Sequence, residues 1–189
     1  MTKLQQTKLK QIKADLRTLI QKHAQLKLPA PIKLASGKMS DRYFDGRRIT
    51  LHPRGMTLFA RAILEMVDLK RFDAVGGPSI GADPIATAVS ILAFLEKKVE
   101  LPAFLIRKEP KQYGLQKQVE GADLKEGMNV LMVEDVITTG ESVRRSIEIV
   151  EQTGAHVLQV VCLIDRNEGG REALAPYTFT PLFTKDDLA

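Results

Sequence analysis

The sequence predicts an α/β fold in which a central parallel sheet is flanked by helices. Short apolar runs alternate with longer segments of helical periodicity between residues 56 and 164. This order is typical of parallel strands joined by right-handed helical crossovers. Residues 130–133 form an uninterrupted apolar run that ends in two adjacent carboxylates. Such a run is typical of a strand buried on both faces of a parallel sheet.

The N-terminal part shows helical periodicity first and irregular structure afterwards. We expect the first helix to end before Pro29 and Pro31, because proline does not continue a helix. The expected elements are a helix (3–26), an irregular stretch (30–52) with short extended pieces (43–44 and 48–49), a turn (52–55) and a second helix (56–69).

The alternation of strands and helices follows. The expected elements are a strand (74–76), a helix (82–95), a strand (103–106), a polar loop (107–125), a strand (130–135), a helix (140–153) and a strand (156–164). The tail from Gly169 is expected to return and cap the ligand site. At 189 residues the chain fits one domain. We divide it into an N-terminal segment that begins with the first helix (1–55), an α/β core (56–168) and a C-terminal tail (169–189).

The composition is ordinary for a globular protein and predicts a cytoplasmic location. It is 44% hydrophobic and 27% charged, which leaves enough apolar side chains for a core. The apolar stretch 85–95 is too short for a membrane span, and no secretory signal is recognisable. Cys162 is the only cysteine, so a disulfide framework is excluded and a buried apolar role is expected.

Positive charge is concentrated at the N-terminus. Residues 1–40 carry nine Lys/Arg and one acid, a balance of +8 within a total of +5. A basic arm that binds nucleic acid is one interpretation. The other is the solvated face of a helix whose apolar stripe comprises Leu9, Ile12, Leu16, Leu19 and Ile20. We favour the solvated face and expect no nucleic-acid partner, because no nucleic-acid motif is recognisable.

The segment 130–142 carries the clearest chemical signal. Its strand delivers Glu134 and Asp135 to the carboxyl edge of the sheet, where open α/β folds bind their ligands. Residues 138–142 then supply hydroxyls and backbone N–H groups at a helix N-terminus, which favours an anion. One loop thus offers acceptors for sugar hydroxyls and donors for a phosphate, which predicts a site for a phosphorylated sugar.

This segment resembles the phosphoribosyl-diphosphate (PRPP) binding motif of type I phosphoribosyltransferases. The resemblance implies that family's fold, a central parallel sheet flanked by helices with a small hood built from the N-terminal segment (1–55) and the C-terminal tail (169–189). The resemblance implies that Glu134 and Asp135 hold the ribose 2′- and 3′-hydroxyls. It also implies that the 5′-phosphate is wrapped by Thr138, Thr139, Gly140, Glu141 and Ser142. The glycine-rich turn 76–84 is similar to the family's diphosphate loop, although many tight strand-to-helix turns look like it.

The cationic loop 107–121 resembles the catalytic loop of orotate phosphoribosyltransferases. In that family its basic residues reach the diphosphate in the neighbouring subunit's site. The resemblance therefore implies catalytic and PRPP-binding roles for Arg107, Lys108 and Lys111, and a homodimer with shared active sites. Tyr113 stands where several relatives carry histidine, which weakens any expectation of histidine acid catalysis. Without the resemblance, a solvated charge run would be the default interpretation.

Two further segments resemble the base-binding parts of the same family. Residues 34–47 match its N-terminal pattern, which implies that Tyr43 and Phe44 flank the orotate ring; a core role for Phe44 is the alternative. Residues 162–170 match the orotate-contacting segment, which implies that Arg166 binds the base together with Thr138. A surface ion pair between Asp165 and Arg166 is the alternative there. Ala35 and Gly81 stand at two positions where some relatives carry lysine.

The resemblance implies an orotate phosphoribosyltransferase of pyrimidine (UMP) biosynthesis. Orotate and PRPP would give orotidine 5′-monophosphate and diphosphate, with Mg²⁺ bound mainly through PRPP rather than by side chains. A phosphoribosyltransferase for another nucleobase is one alternative. The other is a PRPP-sensing regulator that binds nucleic acid through the basic N-terminus; the intact cationic loop counts against it.

Overall fold

The computed structural model of the protein describes residues 2–33, 39–109 and 118–188, with the backbone alone at 27–28, 32–33 and 40–43. The strands are β1 (Gln25–Lys33), β2 (Met39–Phe44), β3 (Ala74–Pro78), β4 (Ala103–Ile106), β5 (Val119–Gly121), β6 (Asn129–Ile137), β7 (His156–Asp165) and β8 (Thr178–Thr184). The helices are α1 (Lys3–Leu19), α2 (Arg47–Thr50), α3 (Pro53–Met66), α4 (Ala82–Leu92), α5 (Glu141–Glu151) and α6 (Gly170–Ala173).

Six strands form the central sheet in the order β5-β4-β3-β6-β7-β8. All neighbouring pairs are parallel except β5, which pairs antiparallel with β4 at one edge. The expected α/β fold with a central parallel sheet is confirmed, as is the pairing of β6 with the strand that follows it. Strands β1 and β2 form a separate antiparallel pair.

Strand β6 shows why the sheet needs helices on both faces. Leu131 and Val133 belong to the apolar cluster that includes α1, α3 and α4. Their neighbours Val130 and Met132 point into a second cluster, which α5 covers. Because successive side chains of a strand point to opposite faces, a run of four apolar residues is buried completely.

Helix α1 packs by the apolar stripe that the sequence predicts. Leu16 and Ile20 are fully buried, and the cluster they join also contains Phe183 and Leu188 of the C-terminal tail. The ammonium group of Lys13 lies 5.1 Å from the centre of the Phe183 ring. The N-terminal helix and the tail therefore pack against each other, and part of the basic surface covers this contact.

Two N-terminal predictions were wrong in detail. The helix expected over 3–26 ends at Leu19, and a π-helical turn (Ile20–Ala24) leads into β1. Residues 25–33 are extended because they find a pairing partner in β2, which local periodicity does not reveal. The extended piece expected at 48–49 is helix α2, whose Ile49 is fully buried.

Two strands were missed elsewhere. The end of the polar loop predicted over 107–125 forms β5, and the tail forms β8 against β7. Pro181 lies inside β8. Proline has no N–H to donate to a neighbouring strand, and it is tolerated here because β8 is an edge strand with a neighbour on one side only. Within the described ranges, no helix is long and apolar enough to cross a membrane.

Candidate active site

A cleft of about 1070 Å³ opens at the carboxyl ends of β3, β6 and β7. The β2–α2 connection and the first residues of the cationic loop also line it. Its lining residues are Phe44, Asp45, Gly46, Arg47, Pro78, Ser79, Ile80, Gly81, Asp83, Arg107, Lys108, Glu109, Glu134, Asp135, Val136, Thr138, Ser142 and Arg166. This is the position at which open α/β sheets bind ligands, because the helix N-termini and strand ends converge there.

The acidic pair of β6 lines the cleft at the carboxyl end of that strand. Glu134 is buried, and its Oε1 accepts a hydrogen bond from the Asp135 N–H at 2.9 Å. Asp135 Oδ1 accepts from the Val136 N–H at 2.7 Å. Burial raises the pKa of the Glu134 carboxyl well above 4.5, and the neighbouring charge of Asp135 raises it further. Two carboxylates held this closely favour a ligand that brings hydroxyl donors or positive charge.

The glycine-rich turn between β3 and α4 lies directly against this acidic pair. A Cβ placed on Gly81 would lie 2.1 Å from Glu134 Oε1 and 2.9 Å from Asp135 Oδ1. The Ser79 hydroxyl donates to Asp83 Oδ1 at 2.9 Å, so a third carboxylate also lines the turn. The absence of a side chain at Gly81 therefore allows the turn and the acidic pair to meet.

The loop after β6 joins the cleft to the N-terminus of α5. Gly140 adopts φ +79° immediately before α5, a conformation that glycine tolerates without strain. Thr138 and Ser142 line the cleft, whereas Glu141 pairs on the exposed surface with Arg145, one helical turn along α5. The N–H groups of the first turn of α5 lack intrahelical acceptors, which makes this end suitable for a phosphate.

Arg166 lines the cleft from the carboxyl end of β7. It follows β7 directly, its backbone N–H donates to the Ile137 carbonyl at 2.9 Å, and its side chain is buried. Phe44, also buried, reaches the same cleft from β2. A guanidinium and an aromatic ring that line the same cleft suit a flat anionic ligand, because they offer planar donors and a stacking surface.

The base of the cationic loop lies at the rim. Arg107 and Lys108 line the cleft with exposed side chains. The Arg107 N–H donates to the Gln118 carbonyl at 2.9 Å, which holds the two ends of the loop together. Lys111 and Tyr113 lie outside the described residues, as does Ala35, and the side chain of Tyr43 does too.

The comparisons identify the family. Residues 48–186 match the model of the phosphoribosyl transferase domain. The orotate phosphoribosyltransferase of Rhodopirellula baltica is 45% identical over 148 residues, covering 75% of this chain and 76% of that protein. This chain belongs to the orotate phosphoribosyltransferase family. The family match is consistent with the fold, because residues 48–186 contain all six strands of the central sheet.

Solved structures of the family share the whole architecture. The crystal structure of Mycobacterium tuberculosis orotate phosphoribosyltransferase with Fe(III) dicitrate has a TM-score of 0.78 at 32% identity, covering 94% of this chain and 99% of that chain. The same protein in complex with PRPP has a TM-score of 0.73 at 30% identity, covering 94% and 98% of the two chains. The orotate phosphoribosyltransferase fold therefore extends over nearly the complete chain.

The cleft brings together most of the site residues predicted from the sequence. These are Glu134, Asp135, Thr138, Ser142, Arg107, Lys108, Phe44 and Arg166. Thr139, Gly140 and Glu141 belong to the same loop but are not among the lining residues. Phe44 also belongs to the apolar core, so the alternative of a core role is confirmed, while its contact with orotate stays a prediction. The surface pair of Asp165 with Arg166 was wrong as an alternative, because both are buried and Asp165 faces Arg171 at 3.6 Å.

Several lining residues received no role from the sequence. Asp45 and Arg47 lie in the segment that resembles the family's N-terminal pattern, and Ser79 and Asp83 lie in the glycine-rich turn. Their positions within those motifs were a usable signal. The sequence did not show that the turn lies close to β6. This proximity arises because β3 and β6 are neighbours in the sheet, although 50 residues lie between Pro78 and Asn129 in the chain.

Proposed function

We propose that this protein transfers the phosphoribosyl group from PRPP to orotate, giving orotidine 5′-monophosphate and diphosphate for pyrimidine biosynthesis. One observation carries the proposal within the family. The acidic pair of β6, the loop at the N-terminus of α5 and a buried arginine all line one cleft. The PRPP complex of the Mycobacterium tuberculosis relative supports the choice of donor.

The ribose of PRPP would bind at β6. Glu134 and Asp135 would accept hydrogen bonds from its 2′- and 3′-hydroxyls, and their negative charge would favour the positive charge that grows on the ring. The 5′-phosphate would bind the loop from Thr138 to Ser142, at the start of α5. We assign neither carboxylate as a general base, because their proposed role is to orient the sugar.

The reaction would break the bond between C1 of the ribose and the diphosphate oxygen. The electron pair leaves with the diphosphate, N1 of orotate forms the new bond to C1, and the N1 proton passes to solvent. Arg107, Lys108 and Lys111 would stabilise the charge of the departing diphosphate. Orotate is already an anion, so its activation is mainly a matter of position.

Mg²⁺ is the cofactor that we propose, carried on the diphosphate. Among the described residues, no group of three His, Cys, Asp or Glu side chains is arranged to hold a metal ion. The carboxylates of Asp83, Glu134 and Asp135 nevertheless give this part of the cleft a negative potential that suits a metal–PRPP complex. Bound there, Mg²⁺ would supply charge neutralisation for the leaving diphosphate.

The base would bind between Arg166 and the aromatic residues of β2. Arg166 would pair with the carboxylate or carbonyl oxygens of orotate, and Phe44 would pack against the ring together with Tyr43. Thr138 would contact the base from the β6 side. Arginine is suited to this task because its planar fork matches a carboxylate in a bidentate arrangement.

The direct test is the loss of orotate absorbance in the presence of PRPP and Mg²⁺, with uracil, hypoxanthine and adenine as controls. Orotate consumption that requires both PRPP and the metal is the expected result. Turnover of another base alone would keep the PRPP site and refute the assignment of Arg166. PRPP binding without turnover of any base would favour a regulatory role.

We propose a homodimer in which the cationic loop completes the partner's site. The support is the resemblance of the loop to the family's catalytic loop, whose basic residues act across the subunit boundary. Lys111→Ala should lower kcat far more than it raises the orotate KM. Mixing this variant with the impaired Asp135→Asn variant should raise the activity above that of either variant alone. No such rise after confirmed subunit exchange would refute shared sites.

The division into one domain also stays a proposal, as does the cytoplasmic location. A single apolar cluster that contains both Leu16 and Leu188 supports the first, since it joins the N-terminal helix to the end of the tail. A buried free thiol at Cys162 is compatible with the second. Thermal unfolding would test the domain proposal, because one domain should unfold in a single cooperative transition.

A further inference from the structure

Glu168 is a buried carboxylate that the proposed reaction does not use. Its side chain is only 4% exposed, and within the described part of the chain neither carboxylate oxygen has a hydrogen-bond partner. Burying a charge without hydrogen bonds is costly, so such a group is retained where a specific interaction requires it. The guanidinium of Arg166 lies close by, with 3.9 Å between Arg166 Nε and Glu168 Oε1.

The backbone around Glu168 is shaped to place it there. Asn167 and Gly169, on either side of it, both adopt left-handed conformations, with φ of +55° and +105°. The Asn167 N–H donates to Asp165 Oδ1 at 2.9 Å, and its side-chain amide donates to Asp186 Oδ2 at 2.8 Å. The turn is therefore held from both sides, so that residues 166 and 168 are brought together.

We propose that Glu168 is a positioning residue that orients Arg166 toward an anionic base in the cleft. The carboxylate attracts the guanidinium electrostatically and limits its rotation, so the donors that face the cleft are arranged before the base arrives. The inference rests on the proposed function, because it gives Arg166 the task of binding the base. It extends that function to a residue outside the cleft lining.

The test compares Glu168→Gln and Glu168→Asp with the wild-type protein. Glu168→Gln keeps the size of the side chain but removes its charge, and it should raise the orotate KM by about tenfold or more, as expected for loss of a charged interaction. The PRPP KM should change by less than about twofold, because the β6 site is untouched. Glu168→Asp, which keeps the charge, should recover part of the orotate affinity. Glu172→Gln is the matched control, an exposed carboxylate four residues away on α6.

The outcomes separate this inference from the proposed function. No turnover of orotate by the wild-type protein would refute both. Normal wild-type turnover with an unchanged orotate KM in Glu168→Gln would refute the inference alone. An equal rise of both KM values, with a lower melting temperature, would show a merely structural role and would also refute it. If Glu168→Gln does not fold, the orotate KM of Glu168→Asp decides: a rise without a change in the PRPP KM supports positioning, and no rise refutes it.

Discussion

The carboxyl ends of β6 and β7 lie side by side and are organised in opposite ways. At the end of β6, Glu134 and Asp135 are like charges in contact, and the pKa of Glu134 is raised by burial and by its neighbour. At the end of β7, charges of opposite sign alternate: Asp165 faces Arg171 at 3.6 Å, and Arg166 faces Glu168 at 3.9 Å. The charges at the end of β6 are electrostatically unfavourable without a ligand, whereas each charge at the end of β7 has an opposite charge nearby within the protein.

This difference indicates a division of labour. The β6 end lowers its own electrostatic energy when hydroxyl donors, a cation or a proton arrive, so binding energy is available there for the proposed sugar and metal. The β7 end keeps its charges paired in the absence of a ligand, so its contribution is a fixed geometry. Substitutions of the acidic pair of β6 should therefore lower activity while raising stability. Substitutions at the end of β7 should first alter the position of Arg166.

Asp135→Asn should produce the largest effect. Loss of a charged acceptor for a ribose hydroxyl should lower kcat/KM for PRPP by about 10- to 100-fold. Asp73→Asn is the matched control, because Asp73 accepts from the Asn129 N–H at 2.7 Å at the opposite end of β6. The control should leave the PRPP KM unchanged. An unaltered kcat/KM for PRPP in Asp135→Asn would remove this residue from the site.

Gly81→Ala should come next, with about a tenfold rise in the PRPP KM, of the order of one lost charged hydrogen bond. The new Cβ would displace the tip of Glu134, a flexible side chain, so the fold should be little affected. Gly77→Ala makes the contrast: its Cβ would lie 2.2 Å from the Val133 carbonyl oxygen, which is backbone. That variant should lose thermal stability, and equal melting temperatures for the two variants would contradict this distinction.

The sequence predicts the two strand ends well and their surroundings poorly, for a physical reason. Glu134 and Arg166 follow long apolar runs, and burial on both faces of a parallel sheet is a local signal. Strands β1, β5 and β8 were missed because their extended form depends on pairing with β2, β4 and β7. Prolines interrupt β1 and β8, and β5 has only three residues, so their local sequence gives little strand signal. The contact of Gly81 with Glu134 likewise depends on sheet order. The burial of Glu168 depends on a turn whose left-handed residues have no unique sequence signature.

Glu134→Gln tests the unfavourable charge at β6 through the pH dependence of stability. Because the folded-state pKa of Glu134 lies well above 4.5, the native protein binds more protons than the unfolded chain as pH rises from 4.5 toward that value. The contribution of the Glu134 carboxyl to the stability of the fold is therefore present below about pH 4.5 and is lost as the pH rises through the raised pKa.

The expected result is a higher melting temperature for Glu134→Gln than for the wild-type protein at pH 8, with a smaller difference at pH 4.5. Each 1 kcal/mol gained would appear as about 2–4 °C in a domain of this size. PRPP turnover should fall at the same time. Glu100→Gln, an exposed carboxylate away from the cleft, is the control and should show no pH-dependent difference. A melting difference that is equal at both pH values would show that Glu134 is not the titrating group.

Asn167 offers the smallest and most specific test, at the β7 end. Its left-handed backbone is tolerated by asparagine and by glycine but is unfavourable for alanine. Asn167→Gly should lose only the hydrogen bond to Asp186, whereas Asn167→Ala should lose that bond and add about 1 kcal/mol of backbone strain. Melting temperatures should therefore decrease from wild type to glycine to alanine, with the orotate KM rising in the same order and the PRPP KM constant. Equal melting temperatures and orotate KM values for Asn167→Ala and Asn167→Gly would mean that the turn relaxes without moving Arg166. The fixed geometry assigned to the end of β7 would then be wrong.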